Sequence, residues 1–381
     1  MSSNPSLPLP NIDTRERIDR IRLIRSENVG PVTFRQLMGR YGSARAALDA
    51  LPDLARRGGR GRPLKIAPKA EVDREIARNE AAGAQLLVTG DPDYPTQLAA
   101  TEDAPPVLSL IGHAHLLNER CVAIVGARNA SANAIRYTRM LSEELGEAGY
   151  VVVSGMARGI DGAAHGGTLD TGTIAVLAGG VDVIYPKENT KLHGQVAEQG
   201  ALIAESPIGT TPQARHFPSR NRIIAGLSLG VIVIEAAQRS GSLITARFAA
   251  DQGREVFAVP GSPLDPRARG SNDLIRDGAH LVQTGEDVIA VLNSLSTSRL
   301  EDPERSGFGD FAPTPADPKQ VETARERILE LLGPSPVPVD EIIRQCQLSP
   351  TVVSIVLIEA ELAGSVERHP GNQVARRFEA E

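Results

Sequence analysis

The chain has 381 residues, enough for two or three domains, and its 41% hydrophobic and 23% charged residues are typical of a globular protein in water. Its apolar runs are shorter than the roughly 20 residues of a membrane-spanning helix. The net charge of −6 excludes a uniformly basic nucleic-acid binder. A DNA-binding surface would therefore need a local concentration of positive charge.

The N-terminus and the cysteines predict the compartment. The first ten residues lack the basic start and apolar centre of a signal peptide. The two cysteines, Cys121 and Cys346, lie far apart and match no disulfide or zinc pattern. We therefore expect a cytoplasmic protein with reduced thiols.

The N-terminal region is predicted to be helical. Residues 1–12 are rich in Pro and Ser and are expected to form a disordered tail, and residues 13–85 form a predicted small domain. Its helices are predicted at Arg15–Ser26, Thr33–Tyr41, Ser43–Leu51 and Pro68–Ala82. Residues 27–37 have the form of a helix–turn–helix hairpin, with Gly30 in the turn and Pro31 starting the second helix. Such a hairpin either binds the DNA backbone through its turn amides or serves as a packing unit.

Residues 86–296 alternate short apolar strands with amphipathic helices. The predicted strands are Val122–Val125, Tyr150–Val153, Thr173–Leu177, Ala201–Ala204, Gly230–Ile234 and Glu255–Val259. They are rich in Val and Ile and polar on neither face, which is typical of a parallel sheet covered by helices on both sides. The sequence therefore predicts a doubly wound α/β core, with helices such as Ala132–Ala148 and Leu243–Gln252 between the strands.

The C-terminal region is predicted to be a winged helix. A linker without periodicity, residues 297–320, precedes it. Within residues 321–381, helices are predicted at Val321–Leu332, Val339–Cys346 and Thr351–Ala363, followed by a hairpin around Pro370-Gly371-Asn372. The last helix has no Lys or Arg, although a groove-reading helix normally needs phosphate anchors. We therefore favour a protein-contact or fold-stabilising role for this domain.

Candidate ligand-binding residues follow the strands, because ligands of open parallel sheets bind at the carboxyl ends of strands. After the first strand come Gly126, Ala127 and Arg128, with Ser131 at the start of the next helix. An anion there would meet amide donors, a guanidinium and the positive end of a helix. The spacing differs from Gly-x-Gly-x-x-Gly, so dinucleotide binding is not specified.

A glycine-rich stretch, residues 154–167, follows the second strand and begins with Ser154 and Gly155. Asp161 and His165 are four residues apart and share one helix face. Because no Gly-x-Ser-x-Gly elbow accompanies them, we expect the pair to order a loop or to bind a ligand. No residue is assigned a catalytic role.

Two further strand ends carry anion-binding candidates. Lys187 follows the Tyr185-Pro186 pair, and a cation beside an aromatic ring suits a phosphate next to a base. A capped helix start with a solvated lysine fits this stretch equally well. Ser240, Gly241 and Ser242 place hydroxyls and amides at a helix N-terminus.

The segment His216–Ser228 concentrates positive charge next to an apolar run. It contains Phe217, then Arg220, Asn221 and Arg222, and guanidinium forks suit phosphate oxygens. Because neighbours two apart on a helix point in different directions, both arginines cannot be assumed to face one ligand. We expect Arg220 to contact DNA. The other arginine, Arg222, would then lock the loop through Glu205 or Glu235.

Successive strand ends thus offer small, polar or basic groups along one edge, more than a single phosphate needs. A single strand of nucleic acid, with its phosphates in a row, would suit them. The sequence has no Walker A pattern and no metal-site spacing of His, Cys and carboxylates. Neither ATP hydrolysis, nor a cofactor, nor a metal is indicated.

These motifs closely resemble those of the DprA/Smf family, DNA-processing protein A, in order and spacing over about residues 86–290. The matching segments are Val-Ala-Ile-Val-Gly-Ala-Arg, Ser-Gly-Met-Ala-Arg-Gly-Ile-Asp-Gly-Ala-Ala-His, Gly-Thr-Ile-Ala-Val-Leu-Ala-Gly-Gly-Val-Asp, Phe-Pro-Ser-Arg-Asn-Arg-Ile-Ile-Ala-Gly-Leu-Ser, Ser-Gly-Ser-Leu-Ile-Thr-Ala and Ala-Val-Pro-Gly-Ser. The resemblance implies an extended Rossmann core that dimerises, a SAM-like N-terminal domain and a variable winged helix.

The resemblance also implies a function without catalysis. Members of this family bind single-stranded DNA and load the recombinase RecA onto it, chiefly in natural transformation. Arg128 matches the arginine of the family's Gly-Ser-Arg motif, and Lys187 matches a lysine near the Tyr-Pro turn. Ala127 replaces the serine of that motif, which removes one hydroxyl donor.

Two alternatives are weighed against this function. Phosphoribohydrolases that resemble lysine decarboxylases share a Rossmann-like fold, but they carry Pro-Gly-Gly-x-Gly-Thr where this chain has Ser-Gly-Ser-Leu-Ile-Thr. A transcription regulator would read duplex DNA through residues 321–381, where the charge of the last helix is unfavourable.

Overall fold

A computed structural model describes residues 12–298, 318–369 and 371–377. The helices are α1 (Thr14–Arg25), α2 (Pro31–Tyr41), α3 (Ala44–Arg57), α4 (Lys69–Ala81), α5 (Thr96–Ala99), α6 (Ala132–Glu147), α7 (Ile160–Gly167), α8 (Thr190–Gln199), α9 (His216–Leu227), α10 (Gly241–Asp251), α11 (Arg269–Arg276), α12 (Gly285–Ser298), α13 (Pro318–Leu331), α14 (Val339–Cys346) and α15 (Pro350–Ala363). The strands are β1 (Gln85–Val88), β2 (Val107–Gly112), β3 (Cys121–Gly126), β4 (Val151–Ser154), β5 (Thr173–Leu177), β6 (Ala201–Ala204), β7 (Gly230–Ile234), β8 (Glu255–Ala258), β9 (His280–Leu281), β10 (Val337–Pro338), β11 (Val366–His369) and β12 (Gln373–Arg376). Most of the predicted tail and most of the predicted linker lie outside the described residues.

The chain divides into two compact units. One begins at Asp73 and extends through α12, and the other joins Asp13–Val72 to the residues from α13 onward. Each unit is described separately below. Within the described ranges, none of the helices is both long and apolar enough to cross a membrane.

The first unit is built on a nine-stranded sheet with the order β1-β2-β6-β5-β4-β3-β7-β8-β9. All six predicted strands are confirmed, each to within one residue at either end. In this order, all strands from β6 across the sheet to β9 run parallel to one another. Strands β1 and β2 extend the sheet in antiparallel pairs. The mostly parallel α/β class is therefore confirmed, with β1, β2 and the short β9 as strands that the sequence pattern missed.

Helices cover both faces of this sheet. On β3, Val122 and Ile124 pack with residues of α6, α7 and α12, whereas Ala123 and Val125 pack with residues of α9 and α10. Alternate residues of one strand thus enter two separate cores, which explains why the strands are apolar throughout. The doubly wound arrangement follows from this double burial.

The order of the parallel strands creates a crevice at the carboxyl ends of β3 and β7. The chain proceeds outward from β3 through β4 and β5 to β6, and then returns to place β7 on the other side of β3. The connection after β3 therefore leads to β4 on one side and the connection after β7 leads to β8 on the other, so these two loops diverge from a common point. Gly126 pairs with Ile234 across that point.

The second unit contains two small cores. Helices α1 to α3 bury residues such as Leu23, Leu37 and Leu51, and α13 to α15 pack on the sheet β10-β12-β11. The predicted helical domain and winged helix are confirmed. Helix α3 continues past its predicted end at Leu51, through Pro52 to Arg57, because Leu54 and Ala55 still face the apolar core.

The two cysteines lie in different units. Cys121 is on β3 and Cys346 ends α14, and both are buried and free. Burial raises the pKa of the Cys121 thiol to about 12, so this group stays protonated at neutral pH.

A substitution at Gly126 tests how tightly β3 and β7 pack at the crevice. A Cβ at this position would lie 1.9 Å from the carbonyl oxygen of Ile234 and 2.7 Å from Ile160 Cγ1. We expect Gly126→Ala to lower the free energy of unfolding by about 1–3 kcal/mol, because backbone atoms would have to move apart. Urea unfolding followed by circular dichroism measures this change.

Gly166→Ala is the matched control. Gly166 lies in α7 and a Cβ there would meet nothing within 4 Å, so helix propensity should raise stability by roughly 0.5–1 kcal/mol. Equal unfolding curves for the two variants would show that β3 and β7 are not packed as described.

Candidate nucleic-acid interface

Two adjacent cavities open along the carboxyl ends of the parallel strands of the first unit. The first, of about 710 Å³, includes Tyr185, Lys187 and Gly179 in its lining and is called the aromatic cavity. The second, of about 770 Å³, includes Gly126 and Ser240 and is called the serine cavity. Residues shared by both linings form the wall between them: Arg128, Ala157, Phe217 and Arg220. We call the two cavities with this wall the rim.

Aromatic rings and cations lie together in the aromatic cavity. The ring centroids of Tyr185 and Phe217 are 5.7 Å apart, with an interplanar angle of 54°. The guanidinium carbon of Arg128 lies 5.2 Å from the centroid of Phe217, within cation–π range. Lys187 is exposed at the same cavity, so ring faces and positive charges face one space.

Arg220 is the buried centre of the wall. Its Nη1 donates to the carbonyl oxygens of Gly155 at 2.6 Å and Val176 at 2.5 Å, and its Nε donates to Asn221 Oδ1 at 3.2 Å. Burial lowers the pKa of Arg220 to about 10, although the nearby Asp161 carboxylate opposes the shift. Arg220 is therefore still charged at neutral pH, and it ties the ends of β4 and β5 to α9.

Arg222 points to a different set of partners. Its Nη2 lies 2.6 Å and 2.7 Å from the two carboxylate oxygens of Glu205, and its Nε lies 3.6 Å from Asp103 Oδ2. Of the two arginines, Arg222 is thus the one held by Glu205. We therefore assign Arg222 the loop-locking role that the sequence predicted for one of the two arginines.

Ser131 is also engaged within the chain. Its backbone N–H donates to Glu235 Oε2 at 2.8 Å and its hydroxyl donates to Glu235 Oε1 at 2.6 Å. The expected anion site at the start of α6 is therefore occupied by the carboxylate of Glu235. In dinucleotide-binding folds a phosphate takes the corresponding place at the first helix, so this contact disfavours the nucleotide-processing alternative.

Ser154 is a third predicted residue with a structural contact. Its hydroxyl is fully buried and donates to the carbonyl oxygen of Ile124 at 2.6 Å, which joins β4 to β3. Gly155, the next residue, lines the aromatic cavity and accepts the hydrogen bond from Arg220.

The remaining predicted residues line the serine cavity. Ser240 caps α10, and its hydroxyl lies 2.7 Å from the hydroxyl of Ser242. Asn221 Nδ2 donates to the carbonyl oxygen of Gly241 at 3.3 Å and joins α9 to the start of α10. Ala127 also lines this cavity.

Four further arginines line these cavities or lie close to them in the chain, and they were not selected from the sequence. Arg158 lines the aromatic cavity and lies 3.4 Å from Glu188, whereas Arg239 and Arg267 line the serine cavity. Arg215 is exposed directly before α9. Their positions after β4, β7 and β8 or at the start of α9 could have identified them in the sequence as candidates for this edge of the sheet.

Asp161 and His165 are both buried, and of the two only Asp161 is in the lining of the serine cavity. Asp161 Oδ2 accepts from the backbone N–H of Ala157 at 3.2 Å, and burial raises the pKa of this carboxyl group against the opposing charge of Arg220. His165 Nδ1 lies 2.7 Å from Thr173 Oγ1. These contacts hold the loop after β4 and agree with an ordering role. The described residues contain no cluster of ligands that would hold a metal ion.

His165 makes the first unit sensitive to acid. The Thr173 hydroxyl donates to Val152 O, so it accepts from His165 Nδ1–H, and Nε2 is left buried without a partner among the described residues. Burial, with a smaller contribution from Arg220, lowers the pKa of His165 from 6.5 to about 3. The neutral ring therefore stabilises the fold above pH 6.5, and this contribution is lost as the pH falls towards 3.

We expect His165→Asn, which retains a donor near Nδ1, to reduce the acid dependence of stability. Between pH 6.5 and 4, the wild type should lose about 1 kcal/mol more per pH unit than the variant. Urea unfolding at several pH values measures the slopes. Identical slopes would show that His165 is protonated without penalty.

Family models match successive parts of the chain. The model described as DNA recombination-mediator protein A matches residues 85–293, the DprA-like N-terminal HHH domain matches residues 14–77, and the DprA winged helix domain matches residues 312–372.

Curated relatives match over most of their length. Protein Smf of Escherichia coli is 39% identical over 314 residues, which cover 81% of this chain and 82% of the relative. DNA processing protein DprA of Bacillus subtilis is 43% identical over 234 residues, which cover 61% and 79%.

Solved structures of similar proteins share the fold. The DNA processing protein A of Streptococcus pneumoniae matches with a TM-score of 0.62 at 36% identity, over 74% of this chain and 98% of that chain. The Helicobacter pylori protein, described for its single-stranded DNA binding mode, matches with a TM-score of 0.51 at 29% identity, over 56% and 96%.

Proposed function

The chain belongs to the DprA/Smf family of DNA recombination-mediator proteins, and we propose that it binds single-stranded DNA during recombination and natural transformation. The observation that carries this proposal is the juxtaposition of Arg128, Phe217 and Tyr185, with Lys187 lining the same cavity. Cations attract the phosphates of a strand, and aromatic rings stack with its bases. A site that combines both suits a strand whose bases are unpaired.

The strand follows the rim. Phosphates contact Arg128 and Lys187, a base enters the aromatic cavity beside Tyr185 and Phe217, and the next phosphate meets the serine cavity at Ser240–Ser242. Arg220 contributes a fixed positive charge from the wall. Duplex DNA fits this site poorly, because its bases are stacked on one another and cannot present their faces to the rings.

We propose that this function requires no catalysis by the protein. Asp161 and His165 are buried and make contacts that order the loop after β4, and Asp161 also lines the serine cavity. Glu235 is hydrogen-bonded to Ser131. These three titratable side chains thus have structural partners within the chain.

Substitutions in the rim should weaken binding of an oligonucleotide. Phe217→Ala removes the ring that contacts Arg128 and Tyr185, and the loss of one base stack should cost about 1–3 kcal/mol, or roughly five- to 150-fold in affinity. Arg128→Ala and Lys187→Ala should each weaken binding and reduce the slope of log affinity against log salt by about 0.7. Fluorescence anisotropy at several salt concentrations measures both quantities.

Arg139→Ala provides the matched control, since this arginine is exposed on α6 and is absent from the lining of both cavities. It should leave affinity and salt slope close to those of the wild type. A folded Arg128→Ala variant with wild-type binding would refute the assignment of the rim.

We also propose that the protein acts as a cytoplasmic homodimer, joined through the α/β core, that loads RecA onto bound single strands. The support is the membership of the chain in this family. If the proposal holds, the wild type should shorten the lag of RecA assembly on a single strand, and Arg128→Ala should not.

Sedimentation tests the homodimer and should give about twice the 40.5 kDa chain mass. A monomer, or an unchanged lag, would contradict these assignments.

A further inference from the structure

The two ends of the chain share one apolar core in the second unit. We call residues 13–72 the helical segment. Its core, which contains Leu37, Leu51 and Phe34, also includes Ile358 and Leu362 of α15. These two residues are four apart and lie on one side of their helix. The third helix of the winged helix thus completes the core of a segment from the opposite end of the chain.

Helix α15 is apolar on two sides. Val353, Val356 and Leu357 pack into the core of the winged helix itself, while Ile358 and Leu362 pack into the helical segment. A winged helix that reads DNA presents a polar or basic surface of this helix to the groove. A helix that is apolar around its circumference is instead buried by protein on both sides.

The carboxyl end of α15 is bound by side chains of the helical segment. The carbonyl oxygen of Leu362 accepts from Asn28 Nδ2 and Arg60 Nη1, each at 3.2 Å. Carbonyls in the last turn of a helix lack partners within the helix, and a cation there is favoured by the helix dipole. Asn28 belongs to the hairpin turn before α2, so the turn itself makes this contact.

A buried carboxylate near the same end of α15 is hydrogen-bonded to the helical segment. Glu361 accepts from the Thr33 hydroxyl and from Arg368 Nε at 3.0 Å, and Arg368 Nη2 donates to Gln36 Oε1 at 3.3 Å. Thr33 and Gln36 are on α2, and Arg368 is on β11. Such a carboxylate is tolerated only while these partners are present, because an unpaired buried charge is costly.

The carboxylate also lies over the hairpin turn. A Cβ at Gly30, in that turn, would be 3.6 Å from Glu361 Oε1. Hairpins of this type bind DNA by directing turn amides and a helix N-terminus at a phosphate. Here a negatively charged side chain covers that approach.

From these contacts we propose that α15 is a docking helix whose partner is the helical segment of its own chain, residues 13–72. The hairpin and α15 each cover the surface by which the other would approach duplex DNA. We call this pair the clasp. It makes no use of the rim, so it stands or falls independently of single-stranded DNA binding.

The clasp is tested by cutting the full-length chain. A site for a specific protease is inserted in the predicted linker, residues 297–320, and the cleaved protein is passed over a size-exclusion column at about micromolar concentration. The C-terminal piece of the wild type should elute with the remainder of the chain. Its elution alone would overturn the proposal.

Gly58→Ala should release the piece. Gly58 follows α3 with φ −69°, so alanine fits its own backbone, but a Cβ would lie 1.9 Å from the carbonyl oxygen of Glu359. We expect association to weaken about tenfold or more. Gly39→Ala, where a Cβ would meet nothing within 4 Å, should retain the piece. Retention in both variants would overturn the proposal.

A second pair of variants decides the matter if Gly58→Ala loses helical content. Arg368→Ala leaves Glu361 buried without its cation and should also release the piece. Arg344→Ala removes an exposed arginine that pairs with Glu341 one turn away, and it should have no effect. Equal retention by these two variants would contradict the role of Glu361 in the clasp.

Discussion

The rim depends on one buried cation. The guanidinium of Arg220 joins the carbonyl of Gly155 after β4, the carbonyl of Val176 in β5 and the side chain of Asn221 on α9. Two strand ends and a helix are thereby fixed around one charged group, with Asp161 behind it as a counter-charge. Because a buried guanidinium must keep its acceptors, the loops that carry the cavities are held in one arrangement.

Charge is distributed so that local attraction coexists with a net charge of −6. Several cations and helix ends are neutralised by acids of the same chain: Glu205 pairs with Arg222, and Glu235 binds Ser131 at the start of α6. Arg128 and Lys187, by contrast, are exposed at the aromatic cavity. The proposed binding surface is therefore set by which cations have been left accessible, and total charge is a poor guide to it.

Much of the fold follows from local sequence pattern. Runs such as Val122–Val125 are apolar at every position because both faces of β3 are buried, and this is visible in sequence. Strands β1 and β2 were missed because their apolar runs are short: that of β1 is Leu86–Val88, and Ser109 interrupts that of β2. The joining of α15 to the helical segment was likewise invisible, since nothing near Ile358 identifies what covers it.

The site was predictable in its residue types and less so in their roles. The glycines, serines and arginines that follow the strands lie at the edge of the sheet where the two cavities open. Which arginine is held by a carboxylate depends on how α9 is rotated, so Arg220 and Arg222 could be separated only by their partners. The use of Ser131 by Glu235 depends on β7 lying beside β3, which is a matter of topology.

Binding of three ligands under one salt condition tests the central claim most directly. They are a thymidine oligonucleotide, an abasic strand with the same number of phosphates, and a duplex of equal length. If a base enters the aromatic cavity, the thymidine strand should bind roughly fivefold or more tightly than the abasic strand, and more tightly than the duplex. Equal affinity for all three would mean that the rim attracts phosphates alone, and it would contradict the role given to Tyr185 and Phe217.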